Sequence, residues 1–302
     1  MHRSFACLPA FALALVATTA GASSTDSVTS YGISQFGGPN ECGKPSQSHT
    51  AHTLSATAFT DEFQFYSSVL LWGPWIDVYD TAAGSDYFTD PSRSASCNCS
   101  LQNDNAFAGV DHSVVSYVHT HGAHDASVAG GKGATSLVAG NSNAGNTCNV
   151  STDKNYVFGN ASGGGHLEIA TFKACEAGDF TVWKQGGLKA MAPSSSHFQV
   201  FNSFHGVSSC GNFVADYVAD FAADSFFDGV GENWIDEAYE SNGIGKDDCP
   251  VTVVYGSTKS SRKNMFTNGG FLDRKLTNAT KSGSTYVHIS ACSPKNGVML
   301  PQ

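Results

Sequence analysis

Two stretches of this sequence end in residues able to do nucleophilic chemistry. Val114 to Val118 is an apolar run that leads into His119-Thr120-His121-Gly122-Ala123. Leu167 to Phe172 is another, leading into Lys173-Ala174-Cys175-Glu176-Ala177-Gly178. A thiol is a weak nucleophile until a nearby imidazole favours its thiolate. A histidine at the end of one strand and a cysteine at the end of another supply that pair if the strands are neighbours. The small residue before Cys175 and the glycine after His121 leave room for a substrate carbonyl. Backbone N–H groups at the same two places suit the oxyanion that acyl transfer creates.

The same residues admit other chemistry. His119, His121, His124 and Asp125 spell H-x-H-x-x-H-D, a candidate metal cluster. Its histidines keep the register of the H-x-H-x-D-H order of metallo-β-lactamases, but Ala123 stands in the aspartate position. On a strand His119 and His121 share one face, whereas His124 falls beyond Gly122 in a loop. The reading is therefore no metal and no cofactor, with the four-residue cluster as the alternative. A structural role is a second alternative, with Cys175 in a disulfide and His121 packed at a strand end. A third is a binding protein without catalysis, since a fold does not by itself prove activity.

The elements that must position these residues follow from apolar patterning. Val114 to Val118, Leu167 to Phe172, Phe198 to Phe204 and Val251 to Tyr255 are nearly continuous apolar runs. Such runs suit strands buried on both faces of a parallel sheet. Tyr286 to Ile289 reads as an edge strand, and Phe63 to Asp80, rich in aromatic and β-branched residues, as further strands. Phe213, Val214, Tyr217, Val218 and Phe221 repeat at helical spacing, with Gly229 and Gly231 as the stop. A second helix begins at Trp234 to Tyr239. Asp216, Asp220, Asp224, Asp228, Glu232, Asp236 and Glu240 recur every four residues there, which reads as a solvated face. The class predicted is α/β, a mainly parallel sheet flanked by helices. In such sheets functional groups gather beyond the C-terminal strand ends.

Composition sets the context. The chain has 302 residues, 14% of them charged, and a formal net charge of −10. No basic patch exists to release counterions, which excludes nucleic-acid binding through the phosphate backbone. Met1 to Arg3 gives a cationic start, Phe5 to Ala17 is apolar, and Ala20-Gly21-Ala22 is an A-x-A cleavage site. Residues 1–22 thus read as a signal peptide for a secreted or periplasmic protein, with no membrane anchor. Residues 23–60, polar and small, read as a mobile lead-in, and 61–302 as the α/β domain. Cys42, Cys97, Cys99, Cys148, Cys175, Cys210, Cys249 and Cys292 remain after the signal, an even set that suggests disulfides in an exported chain. A catalytic cysteine leaves an odd number of the others. Asn98, Asn149, Asn160 and Asn278 head N-x-Ser/Thr sequons.

Over residues 110 to 260 the sequence resembles the caspase-like (clan CD) cysteine peptidases, which include caspases, gingipains, legumains and metacaspases. Their signature is a hydrophobic strand ending in His-Gly, followed by a second ending in Ala-Cys. His121-Gly122-Ala123 and Ala174-Cys175-Glu176-x-Gly178 are similar in wording to legumain. Phe201 to Gly206, the helix after it and Trp234 resemble a group of uncharacterised bacterial secreted proteins with a degenerate version of that fold. The resemblance implies a three-layer caspase-haemoglobinase-like sandwich that hydrolyses peptide bonds in peptide or protein substrates. His121 would be the catalytic histidine and Cys175 the nucleophile, with Gly122 and the Cys175 N–H lining the oxyanion hole. Thr120 departs from the pattern, where a small residue or an acid often precedes the histidine. No specificity-pocket residue carries over.

Overall fold

Continuous apolar runs with β-branched and aromatic residues become the inner strands of one sheet. The computed structural model describes residues 27–36, 50–70, 73, 75–96, 103–127, 131–140, 148–160, 164–242, 249–273 and 279–289. In chain order these form β1 (Val28–Gly32), α1 (Thr50–Leu70), β2 (Trp75–Tyr79), β3 (Val115–His119), β4 (Gly122–Asp125), β5 (Ala134–Val138) and β6 (Asn149–Ser151). Then follow β7 (Ile169–Lys173), α2 (Phe180–Gln185), β8 (Ser195–Ser196), β9 (Val200–Phe204), α3 (Phe213–Asp224) and α4 (Val230–Asn242). The chain continues through β10 (Pro250–Gly256), α5 (Lys259–Asn268), β11 (Ala279–Thr280) and β12 (Gly283–His288). The signal peptide assigned to residues 1–22 lies outside the described residues, as do Cys42, Cys97, Cys99, Cys292, Asn98 and Asn278.

The main sheet has seven strands in the order β2-β1-β3-β7-β9-β10-β12. From β2 to β9 all neighbours are parallel. β10 and β12 then join antiparallel. The protein is thus α/β with a mostly parallel sheet, as the apolar runs predict. Two features differ. The run at 251–255 is antiparallel to its neighbour, because a strand buried on both faces has the same composition in either direction. The edge strand at the C-terminal side is β12, beginning three residues before the expected Tyr286.

Each face of the sheet has its own core. On one, Phe59 and Phe63 of α1, Val218 and Phe221 of α3 and Trp234 of α4 pack on Val28, Val115, Tyr117, Ile169 and Val200. On the other, Leu137, Val150, Phe158, Val182 and Leu188 pack on Tyr31, Val118, Ala170, Phe172 and Phe201. That second layer holds α2, 3-10 turns and a small antiparallel sheet, β4-β5-β6. Asp216, Asp220, Asp224, Asp228, Glu232 and Asp236 are all exposed, so the acidic ladder is a solvated face. Gly231 lies inside α4 and does not end α3, which stops at Asp224.

The lead-in expected over 23–60 is the main correction. β1 is fully buried and lies between β2 and β3, and Thr50 onward is the first half of α1. The domain therefore starts before residue 61. Phe63 to Leu70 likewise belong to α1, and only Trp75–Tyr79 is a strand. The cause is visible in the side chains of β1. Thr29 Oγ1 lies 2.6 Å from Ser113 Oγ, and Ser30 Oγ lies 2.7 Å from Thr60 Oγ1 and donates to Asp77 Oδ1 at 2.5 Å. Polar residues are tolerated in a buried strand when distant elements satisfy them, and a composition scan reads such a strand as loop. Gly32 closes the strand because a Cβ there would lie 2.7 Å from Thr53 Cα and 2.9 Å from His52 O. That absence lets the first turn of α1 sit directly on the strand end.

Candidate functional site

The chain winds outward from β1 in both directions, to β2 on one side and to β3, β7 and β9 on the other. The switch of direction falls between β1 and β3, and open α/β sheets bind ligands beyond the C-terminal strand ends at such a point. The chemistry-bearing side chains lie past those strand ends. His52 sits in the first turn of α1, after β1. His119 is the last residue of β3, and His121 follows it. Cys175 comes just after β7, and Cys210 follows β9.

β3 and β7 pair in register from Val115↔Ile169 to His119↔Lys173. Beyond the ladder, Thr120 N–H still donates to Lys173 O at 3.3 Å. His121 and Cys175 therefore stand at equivalent places past the ends of adjacent parallel strands. Gly122 brings the two ends into contact. A Cβ on it would lie 2.3 Å from Cys175 O and 2.9 Å from Ala174 Cβ. Any larger residue would wedge the strand ends apart. The His121 ring packs against Phe36, with centroids 5.1 Å apart, and edge-on to His52 at 5.5 Å.

Cys175 carries a free, half-buried thiol. Its sulfur accepts from Ser208 N–H at 3.3 Å and can donate to Ser208 O at 3.8 Å. Directly after it the chain bends through Glu176, whose φ is +58°. A left-handed conformation at a non-glycine residue costs about 1–2 kcal/mol and clusters at functional sites. Glu176 N–H bonds Gly206 O at 2.7 Å, and Gly178 N–H bonds Phe204 O at 2.9 Å, which holds the bend against the end of β9. The facing loop is held from below by Lys173. Its buried ammonium donates to Ser208 Oγ at 2.5 Å and Ser209 O at 2.6 Å, and lies 4.9 Å from the Phe204 ring centroid. Hydrogen bonds and a cation–π contact offset the desolvation of that charge.

A second group surrounds Cys210, which is exposed. His52 Nε2 lies 3.4 Å from its sulfur and His119 Nε2 lies 3.8 Å from it. The two imidazole rings pack with centroids 4.1 Å apart. His119 is thus drawn to His52 and Cys210.

The remaining members of the H-x-H-x-x-H-D cluster point elsewhere. His124 is not in a loop but in β4, paired with Thr135 of β5. Its Nδ1 lies 3.0 Å from Glu176 Oε2. The Glu176 carboxylate raises the His124 pKa above its usual value, and His124 in turn lowers that of Glu176. Asp125 is exposed and accepts from Ser127 Oγ at 2.6 Å and Ser127 N–H at 2.8 Å, contacts that lower its pKa. Behind this pair, buried Asp179 caps α2 by accepting from Val182 N–H at 3.0 Å, with His205 Nδ1 3.0 Å away. Burial pushes the Asp179 carboxyl up, but the bonds from His205 and Val182 outweigh it and the net shift is downward.

Sequence reasoning singled out His121, Gly122 and Cys175 and did not single out His52, Lys173, Ser208 or Cys210, which the structure groups near the same strand ends. Cys210 carried a usable signal, since it follows an apolar run as Cys175 does, only a few residues further on. His52 carried none, lying in the stretch read as lead-in. Among the described residues no helix is long and apolar enough to cross a membrane.

No protein-family model, curated protein or solved structure matches the chain.

Proposed function

We propose that the chain is a secreted cysteine peptidase of the caspase-like kind, with His121 and Cys175 as its dyad. The observation that carries this is the pairing of β3 with β7, which sets the two residues at equivalent positions past adjacent strands, with Gly122 against the Cys175 backbone. The order of strand ends, His-Gly then Ala-Cys, supports the same reading, as does the cationic and apolar N-terminal segment for export.

In this reading His121 accepts the Cys175 proton, and the thiolate sulfur attacks the scissile carbonyl carbon. The Gly122 and Cys175 N–H groups take up the oxyanion. His121 returns the proton to the leaving amine as the C–N bond breaks. Water, deprotonated by His121, then hydrolyses the thioester, releasing the acid and restoring the thiol. The Ser208 N–H, 3.3 Å from the sulfur, fixes where the Cys175 side chain sits.

A fluorogenic peptide library applied to the mature protein tests the reading. Wild type should cleave a subset of sequences, and Cys175→Ala and His121→Ala should not. No cleavage by wild type, even after limited proteolysis, favours a binding protein without catalysis. Activity that survives Cys175→Ala but disappears in Cys210→Ala would place the nucleophile in the other cluster.

A further inference from the structure

We infer that His52, His119 and Cys210 form a binding site for one borderline-soft divalent cation, zinc foremost, beside His121 and Cys175 but separate from them. The three residues come from α1, the end of β3 and the loop after β9, and each offers one ligand atom. These atoms all lie within 4.8 Å of one another. A tetrahedral zinc with nitrogen ligands near 2.0–2.1 Å and sulfur near 2.3 Å needs edges of about 3.3–3.6 Å. The two nitrogen–sulfur edges are 3.4 Å and 3.8 Å, close to that without any ion present to draw them in.

The far side of each imidazole decides which nitrogen faces the sulfur. His52 Nδ1 lies 2.5 Å from Ile33 O, a carbonyl that can only accept, so Nδ1 carries the hydrogen. His119 Nδ1 lies 2.6 Å from Ser55 Oγ. The Ser55 hydroxyl gives its own hydrogen to His52 O at 3.1 Å, and so accepts from His119 Nδ1–H. The Tyr117 hydroxyl donates to the same Ser55 oxygen at 3.1 Å. Both rings are thereby held in the tautomer whose Nε2 lone pair points at Cys210. Orientation of metal-binding histidines by a carbonyl or hydroxyl on the opposite nitrogen is the usual supporting arrangement around zinc.

The donor set selects the ion. Two imidazoles and a thiolate, with no carboxylate, suit zinc and similar borderline-soft metals and do not suit calcium or magnesium. His52 and His119 are 0% and 1% exposed while Cys210 is at the surface, so the fourth position opens to solvent. This assignment does not depend on the peptidase reading. It also differs from the sequence-derived cluster, sharing only His119 with it.

The mature full chain, reduced and stripped with a chelator, would be titrated with cobalt(II) and then zinc(II). The expected result is one equivalent bound, with tetrahedral cobalt bands and a sulfur-to-cobalt charge-transfer band that zinc abolishes. Cys210→Ser, a surface change that leaves the core intact, should remove the charge-transfer band and weaken zinc by about 100-fold or more. His119→Ala should weaken it similarly. His124→Ala and Cys175→Ala should bind as wild type does. Chelator should lower the melting temperature of wild type and not that of Cys210→Ser. The inference fails if wild type binds no stoichiometric metal, which would leave a hydrogen-bonded cluster only. It fails equally if Cys210→Ser binds as tightly as wild type, or if the band survives in Cys210→Ser and is lost in Cys175→Ala.

Discussion

Cys175 and Cys210 follow neighbouring parallel strands, β7 and β9, yet they are held by different means. Cys175 is positioned by backbone: the β7 end, the strained Glu176 bend and the Ser208 N–H. Cys210 is positioned among side chains, the imidazoles of His52 and His119, whose outer nitrogens are fixed by Ile33 and Ser55. In the proposed reading the sulfur held by backbone is the nucleophile, and the sulfur facing two oriented imidazole lone pairs is a metal ligand. The Lys173 ammonium ties the two together, since it fixes the Ser208–Ser209 segment that touches one thiol and leads into the other.

The largest effect is expected at Cys175, the proposed nucleophile. Cys175→Ala should reduce peptidase turnover on the order of 10^4-fold or more, and His121→Ala nearly as much, because a dyad acts as a unit. A steady-state assay on purified variants reads both, with circular dichroism confirming that the fold is kept.

Gly122→Ala should come next. The added Cβ meets the Cys175 carbonyl at 2.3 Å, so the strand ends must separate. Overpacking of this kind costs about 1–3 kcal/mol, which chemical denaturation would detect. Peptidase activity should fall further than stability does, since the oxyanion donors move, while zinc binding at Cys210 should change little. An alanine variant as stable and active as wild type would remove the close approach from the account.

The smallest effect concerns the His124–Glu176 pair, which braces the residue next to Cys175 against β4. The raised His124 pKa adds stability below its usual 6.5, and that stability is lost as pH rises through the shifted value. The lowered Glu176 pKa adds stability above its usual 4.5, and that is lost as pH falls through the shifted value. The pair therefore contributes most between those two usual values, by up to about 1 kcal/mol for a partly exposed ion pair. Thermal melts of wild type and His124→Ala should differ most in that window and converge at alkaline pH. A constant difference across pH would assign His124 a packing role instead.

How much of this was legible in the sequence depended on whether a residue's role is local. Val115 to His119 and Ile169 to Lys173 announced themselves because inner parallel strands need apolar side chains on both faces. The strand-end rule then marked His121 and Cys175. The exposed face of α3 and α4 was equally plain from Asp216 to Asp236 at four-residue spacing. β1 was hidden because Thr29 and Ser30 are satisfied by Ser113, Thr60 and Asp77, far away in sequence. His52 was hidden with it. The direction of β10 was hidden because burial on both faces reads the same for either orientation. The grouping of His119 with Cys210 and not with His124 is a matter of where three separate elements meet, which spacing along one segment cannot express.

The proposed division of labour between the two thiols is tested most directly by native alkylation. The mature protein would be treated briefly with iodoacetamide, with and without one equivalent of zinc, and the modified peptides mapped by mass spectrometry. Without zinc, both Cys175 and Cys210 should be labelled. Zinc should protect Cys210 and leave the labelling of Cys175 intact. Protection of Cys175 by zinc, or equal labelling of both thiols in its presence, would contradict it.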